Sequence, residues 1–207
     1  MSTRLILTRH GETDWNAENR IQGHSDIELN ALGVLQAEAL ARRLVGVHID
    51  AIYTSDLKRA LVTASAVRAR KPAAPFTITT ELRERNYGKL EGLRWDEIRN
   101  LHPDDAAIFR TGDPAYAPEG GESKIQVRDR VAAFLDTIVE KHPDETVLLV
   151  SHGGFCVTVF RIIFGMDLAI KVPFRVDNCS VNVVDCDGGT RIVKSLNCTC
   201  HLPGENG

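Results

Sequence analysis

Short, nearly continuous apolar runs alternate along this chain with stretches whose apolar residues recur every three or four positions. The runs are Leu5-Ile6-Leu7, Ile49 to Thr54, Phe76 to Thr80 and Thr146 to Val150. Runs this short and this apolar predict strands buried on both faces. Between them, Leu32, Leu35, Ala39, Leu40 and Leu44 fall at helical spacing behind Asn30, a candidate N-cap, with Gly46 as a candidate stop. Leu57 to Val67 predicts another helix, capped by Ser55 or Asp56. Trp95 to Leu101 predicts a short one. Lys124 to Lys141 carries a stripe of Val127, Val131, Phe134, Leu135 and Ile138, and Phe155 to Phe164 is an apolar helix. Residues 103–118, with three prolines and Gly112, read as an irregular excursion. Asn178 to Asn197 reads as a hairpin turning over Asp185-Cys186-Asp187-Gly188-Gly189. Alternating strands and helices of this kind predict an α/β fold.

Two of the runs stop abruptly on polar residues. The first ends on Arg9-His10-Gly11 and the fourth on Ser151-His152-Gly153-Gly154. Ligands of open α/β sheets bind just past the carboxyl ends of the strands. Gly11 allows a tight turn and close approach to a ligand. If the two strands are neighbours, His10 and His152 face each other, and the helix start at Gly153-Gly154 offers N–H donors to an anion. The alternative for Arg9-His10 is an ordinary surface loop. Arg59 lies in the first turn of its helix, where a cation is unfavourable unless an anion is near. It either pairs with Asp56 or Asp14 on the surface or reaches back toward a phosphate. The segment Glu81 to Gly92 is either a solvated loop or the carrier of a proton donor.

Composition narrows the field. At 207 residues and 43% hydrophobic, the chain supports one sizeable core and is read as a single domain over 1–207, with a lid-like excursion at about 93–122. A net charge of −3 gives no nucleic-acid footprint. No apolar run is long enough to span a membrane, and Met1-Ser2-Thr3-Arg4 lacks the apolar stretch of a signal peptide, so a cytoplasmic protein is expected. The five cysteines, Cys156, Cys179, Cys186, Cys198 and Cys200, suggest no disulfide framework. Cys198-Thr199-Cys200-His201 reads as strand with buried thiols rather than as a metal cluster, whose ligands are usually spaced further apart.

These pieces suit a phosphate monoester, which carries about −1.5 to −2 charges at neutral pH. Arg9 and Arg59 offer bidentate contacts. His152 can donate to the phosphoryl oxygens, as imidazolium beside the arginines. His10 can attack phosphorus if its nitrogen is unprotonated, forming a phosphohistidine. Glu84 can protonate the leaving alkoxide and later activate water; a bound dianion favours its protonated form by like-charge repulsion. No metal or other cofactor is required by this scheme.

In order, the segments Leu7-Thr8-Arg9-His10-Gly11-Glu12-Thr13, Asn16 with Gln22-Gly23, Ser55 to Ala60, Glu84 to Gly88, Gly120 to Ser123 and Ser151 to Gly154 resemble the histidine phosphatase superfamily, in its phosphoglycerate-mutase-like branch. The resemblance implies a three-layer α/β/α sandwich with a mostly parallel sheet. It implies His10 as nucleophile, Arg9, Arg59 and His152 as phosphate clamp and Glu84 as proton donor. Asn16, Gln22, Gly23, Tyr87 and Gly153 become substrate contacts. The tail Leu196 to Leu202 is similar to that of metal-independent phosphoserine phosphatases, which would place His201 near the site. Those enzymes often carry a histidine where Tyr87 stands, and Glu84-Arg85-Asn86-Tyr87-Gly88 is also similar to sugar-bisphosphatase relatives. Only 28 residues separate Gly92 from Gly121, shorter than the insertion of the mutases, so a hydrolase of a small phosphorylated metabolite is expected. Phosphoserine phosphatase, sugar-bisphosphate phosphatase, mutase and a catalytically silent phospho-ligand binder stay open, as does a homodimer. Asp185-Cys186-Asp187-Gly188 also resembles the nucleophile motif of magnesium-dependent haloacid-dehalogenase-type phosphatases, but only 20 residues follow Asp187, and a hairpin turn is the better reading.

Overall fold

The computed structural model describes residues 2–202; the outer limits of the expected 1–207 domain, Met1 and residues 203–207, lie outside the described residues. The apolar runs form strands β1 (Ser2–Arg9), β2 (Ala51–Ser55), β3 (Phe76–Thr79) and β4 (Thr146–Ser151), followed by the hairpin β5 (Val181–Asp187) and β6 (Thr190–Cys198). They make one sheet in the order β3-β2-β4-β1-β5-β6. The first four are mutually parallel; β5 runs antiparallel to β1, and β6 antiparallel to β5.

Helices cover both faces, as near-continuous apolar strands require. They are α1 (Asp14–Ala17), α2 (Ala31–Arg43), α3 (Lys58–Arg68), α4 (Trp95–Leu101), α5 (Pro103–Thr111), α6 (Lys124–Lys141) and α7 (Gly153–Ile163). Successive strand residues point to opposite faces. Leu5, Leu7, Val147 and Leu149 pack with Val131, Leu135, Phe155 and Val159 of α6 and α7. Ile6, Ile52, Leu148 and Val150 pack with Leu40, Ala60 and Val67 of α2 and α3. The expected three-layer sandwich is therefore present.

Three details differ from the sequence reading. Residues 103–111 are helical: Pro103 opens α5, Asp104 and Asp105 sit in its first turn, and Gly112 closes it in the left-handed conformation (φ 77°). That is the ordinary start and stop chemistry of a helix. With α4 it encloses a small core of Leu90, Ile98 and Ala106, so 93–122 is a packed cap rather than an irregular lid. Next, α3 has Leu57 at its N-cap with no side-chain cap bond. Asp26, from a distant loop, accepts the Lys58 N–H instead (2.7 Å), and Asp56 is bound to Arg83. Finally, α2 stops at Arg43, before Gly46, with Leu44 buried in the core.

The hairpin turn is the pair Gly188-Gly189, both at positive φ. Asp185 belongs to β5, where it takes two hydrogen bonds from Arg4 (2.7 and 2.9 Å). Asp187 pairs in register with Ser2, at the opposite end of β1 from His10. The Asp-x-Asp-Gly run is a hairpin element, remote from the histidines.

Candidate active site

Three neighbouring strands deliver the site. Arg9 ends β1 and pairs in register with Ser151, which ends β4. The His10 N–H donates to the Ser151 carbonyl (2.9 Å). Parallel pairing thus brings the residue after each strand to one level. His10 and His152, 142 positions apart, have ring centroids 5.2 Å apart with planes tilted by 59°. Both rings are buried. On the other side of β4, β2 leads into α3, which places Arg59 beneath them, fully buried.

Hydrogen bonds assign the two imidazoles different roles. His10 Nδ1 lies 2.7 Å from the Gly11 carbonyl. A carbonyl only accepts, so Nδ1 carries the proton. Burial, then Arg59 and Arg9, pull the His10 pKa well below its ordinary 6.5. The ring is neutral, and Nε2 keeps its lone pair. At His152 the polarity is reversed. Arg59 Nε donates to His152 Nδ1 (3.2 Å), so the neutral ring carries its proton on Nε2. Burial, Arg59, His10 and Arg9 hold this ring well below 6.5 too. The expected imidazolium at His152 is therefore corrected: Arg59 occupies the nitrogen that would take the second proton, and His152 is a neutral N–H donor. Its Nε2 is buried with no hydrogen-bond partner among the described residues, as are Arg9 Nε and Gln22 Oε1.

The alternative of surface pairing for Arg59 is overturned by its burial. Its NH1 and NH2 donate to the carbonyls of Ser25 and Gly23 (both 2.7 Å), and among the described residues two of its five N–H groups remain uncommitted. Burial lowers its pKa to about 10, against the opposing pull of Glu84, so it stays cationic at neutral pH. Arg9 gives one bond to the Val176 carbonyl (3.0 Å). Burial lowers its pKa as well, opposed mainly by Glu84.

Glu84 stands across the cleft. Its two oxygens accept from the backbone N–H groups of Arg85 and Gly154, each at 2.8 Å. The Gly154 bond is a second correction: the start of α7 grips a carboxylate of the protein itself, so the anion-binding N-terminus expected there is partly taken. A Cβ at Gly154 would overlap Glu84 Oε1, whereas a Cβ at Gly153 would lie 3.4 Å from Arg9 Nε. Gly11 packs against the backbone of Gly33, which is what forbids a side chain there.

A cleft of about 200 Å³ is lined by Arg9, His10, Arg59 and Glu84, together with Asn16, Gln22, Gly23 and Tyr87. Asn16 Oδ1 accepts from the N–H and hydroxyl of Thr13 (both 3.1 Å), which orients it. Gly23 acts through its carbonyl on Arg59 and takes a positive φ of 51°. Gly153 borders Arg9 at the start of α7. His201 is not in the wall of this cleft; its Nε2 lies 3.1 Å from the Cys179 carbonyl, and the following Leu202 packs into the α2–α3 core. Among the described residues, the tail thus packs Leu202 onto the core and leaves His201 outside the cleft wall.

Several supports escaped the sequence reading. Glu91 takes four bonds: from the N–H groups of His24 and Tyr87 on Oε1, and from the N–H and hydroxyl of Ser25 on Oε2, at 2.7–3.1 Å. It fixes the loop whose carbonyls hold Arg59. His24 Nε2 binds the Glu84 carbonyl (2.8 Å), and Arg130 binds those of Glu81 and Arg83 (2.8 and 3.0 Å). Most of these partners are backbone groups, to which no side-chain motif points.

The described residues contain no helix long and apolar enough to cross a membrane, and no group of three or more His, Cys, Asp or Glu side chains placed to hold a metal. Over 203 residues the chain is 39% identical to the metal-independent phosphoserine phosphatase of Arabidopsis thaliana, covering 97% of this chain and 83% of that one. It is 38% identical over 181 residues to phosphoglycerate mutase-like protein 4, also from Arabidopsis thaliana, covering 86% and 77%. Among solved structures, Bacillus stearothermophilus YhfR superposes with a TM-score of 0.88 at 38% identity, over 97% of this chain and 99% of that one. Residues 5–199 match the description "histidine phosphatase superfamily (branch 1)". With its paired histidines, arginines and glutamate set as described, the chain belongs to the histidine phosphatase superfamily.

Proposed function

We propose that this protein hydrolyses phosphate monoesters of small metabolites through a phosphohistidine on His10. The observation that carries the reading is the opposite protonation of the two facing imidazoles, a lone pair on His10 Nε2 and an N–H on His152 Nε2. In the first step the nitrogen lone pair forms the N–P bond as the ester P–O bond breaks, and Glu84 gives the departing oxygen its proton. Arg9, Arg59 and His152 N–H meet the charge on the equatorial oxygens, in a site already oriented by the hydrogen bonds described above. In the second step water attacks phosphorus, its proton passes to Glu84, and the N–P bond returns its electron pair to His10.

The short segment between Gly92 and Gly121 supports hydrolysis over mutase transfer, although the names of the two plant relatives divide between these. Phosphoserine is nominated by relatives' names, that of the Arabidopsis thaliana phosphatase and that of phosphoserine phosphatase 1 from Hydrogenobacter thermophilus. Residues 1–207 are read as one such domain, in the cytoplasm; cell fractionation checks the location, and size-exclusion chromatography decides between monomer and homodimer.

The test is turnover of 4-nitrophenyl phosphate in excess chelator, with His10→Ala alongside. Wild type should turn over, and the variant should lose on the order of 10³-fold or more in kcat. Acid-labile phosphate should appear on wild type quenched during turnover. Undiminished turnover in His10→Ala overturns the mechanism. A wild type silent toward every phosphomonoester leaves a phospho-ligand binder. Ranking phosphoserine, phosphoglycerates and sugar bisphosphates by kcat/KM assigns the substrate.

A further inference from the structure

A second cavity, of about 540 Å³, adjoins the catalytic cleft; Tyr87 and Trp95 line both. Its wall carries five cations, Arg85, Arg99, Arg110, Lys124 and Lys171, and no acidic side chain, in a protein whose net charge is −3. These residues come from four separate places in the fold: the loop after β3, the α4–α5 cap, α6 and the segment after α7.

The cations are not spent on carboxylates of the protein. Arg85 is buried and gives its bonds to the carbonyls of Glu122 and Tyr116 (2.8 and 3.1 Å). Its guanidinium lies over the rings of Tyr87 and Phe109, at 5.0 and 5.6 Å. The Lys124 ammonium is held by the carbonyls of Gly112 and Leu168 (both 3.1 Å). Burial, with Arg161 and Arg85 nearby, lowers its pKa below that of an ordinary lysine. Arg99, Arg110 and Lys171 are exposed and form no ion pair among the described residues. Five like charges around one concavity repel one another, and their field concentrates anions there. Between the cations, Trp95 packs edge-on against Phe109 (centroids 5.2 Å), giving the passage from the cleft an apolar floor.

We infer that this cavity is a specificity subsite, and that the preferred substrates are phosphomonoesters bearing a second anionic group, carboxylate or phosphate, on a body long enough to cross Trp95 and Tyr87. The scissile phosphoryl sits between the histidines and the second anion among the cap cations. A compact substrate such as phosphoserine, with its carboxylate a few bonds from phosphorus, would leave the second cavity unused. The inference rests on the phosphomonoesterase reading above.

A ladder of ω-carboxyalkyl phosphates, set against ω-hydroxyalkyl phosphates of the same lengths, tests it. Above a threshold length the carboxylate should raise kcat/KM by about tenfold or more, the worth of a charge-assisted contact, mostly through KM. Added salt should shrink the gain. In a variant combining Arg110→Ser and Lys171→Ser, both at exposed positions, the ratio of carboxylate to hydroxyl substrate should fall toward unity. Equal kcat/KM for both series at every length, or a gain that survives in the variant, overturns the subsite. If neither series nor 4-nitrophenyl phosphate is turned over, the phosphatase reading itself fails.

Discussion

Glu91 touches no substrate in the proposed mechanism, yet Glu91→Gln is expected to damage the site. The carboxylate accepts two bonds on each oxygen. An amide has one oxygen and an NH₂ that only donates. If the oxygen takes the place of Oε2, the NH₂ confronts two backbone N–H groups, of His24 and Tyr87. If it takes the place of Oε1, only the Ser25 N–H is left facing a donor, because the Ser25 hydroxyl can turn to accept. The second arrangement wins. One stranded N–H costs about 1–3 kcal/mol, and the bonds that remain weaken from charged to neutral by about 0.5–1 kcal/mol each, so the loss is roughly 2–5 kcal/mol. The loop escapes part of this by relaxing, which carries the Gly23 and Ser25 carbonyls away from Arg59 and frees its grip on His152. If about 1.5–3 kcal/mol must be returned to restore the catalytic arrangement, kcat/KM falls by about 10- to 150-fold. Urea unfolding gives the first quantity and initial rates on 4-nitrophenyl phosphate the second. Gly23→Ala, whose Cβ would overlap Glu91 Oε1 at a positive φ, should behave alike. A Glu91→Gln protein that loses stability but keeps kcat/KM within twofold of wild type refutes the link from Glu91 through the loop to Arg59.

Glu84→Gln should slow alkyl phosphates far more than aryl phosphates, whose leaving groups need little protonation; equal slowing of both removes Glu84 from the acid role. Gly154→Ala should mimic it, because the new Cβ displaces the carboxylate; an unchanged alkyl-to-aryl rate ratio would show that Glu84 is not held by α7. Stability should depend on pH through His10 and His152. Both are held neutral well below 6.5, so the unfolded chain binds more protons once pH drops under about 6.5. Their contribution is complete above that pH and drains as pH falls toward the folded pKa values, by up to about 2.7 kcal/mol per unit for the two. Urea melts across this range check it, and replacing one histidine with Ala should halve the slope.

The histidine pair was legible because it depends on local signals. Each follows an apolar strand and precedes glycine, and parallel neighbours place such residues together whatever the rest of the chain does. The α5 helix was also legible in principle, through Pro103, Asp104, Asp105 and Gly112, but the proline density of 103–118 obscured it. Glu91 and His24 were not. Their partners are mainly backbone groups, which every residue has, so nothing in their own neighbourhood marks them.

From the order of residues alone came the alternation of strands and helices, the two histidines at strand ends, and an arginine-rich, metal-free chemistry for a phosphate. These follow from periodicity and from what each side chain can do, and both are properties of short segments. The fold decided which imidazole presents an N–H and which a lone pair, that the start of α7 is claimed by Glu84, that Leu202, next to His201, packs into the core, and that five cations meet beside the cleft. Apart from the His10 tautomer, which the adjacent Gly11 carbonyl sets, these turn on partners tens of residues away, and a proton's position or a helix end's occupancy is fixed by the atom opposite, which only the folded chain supplies.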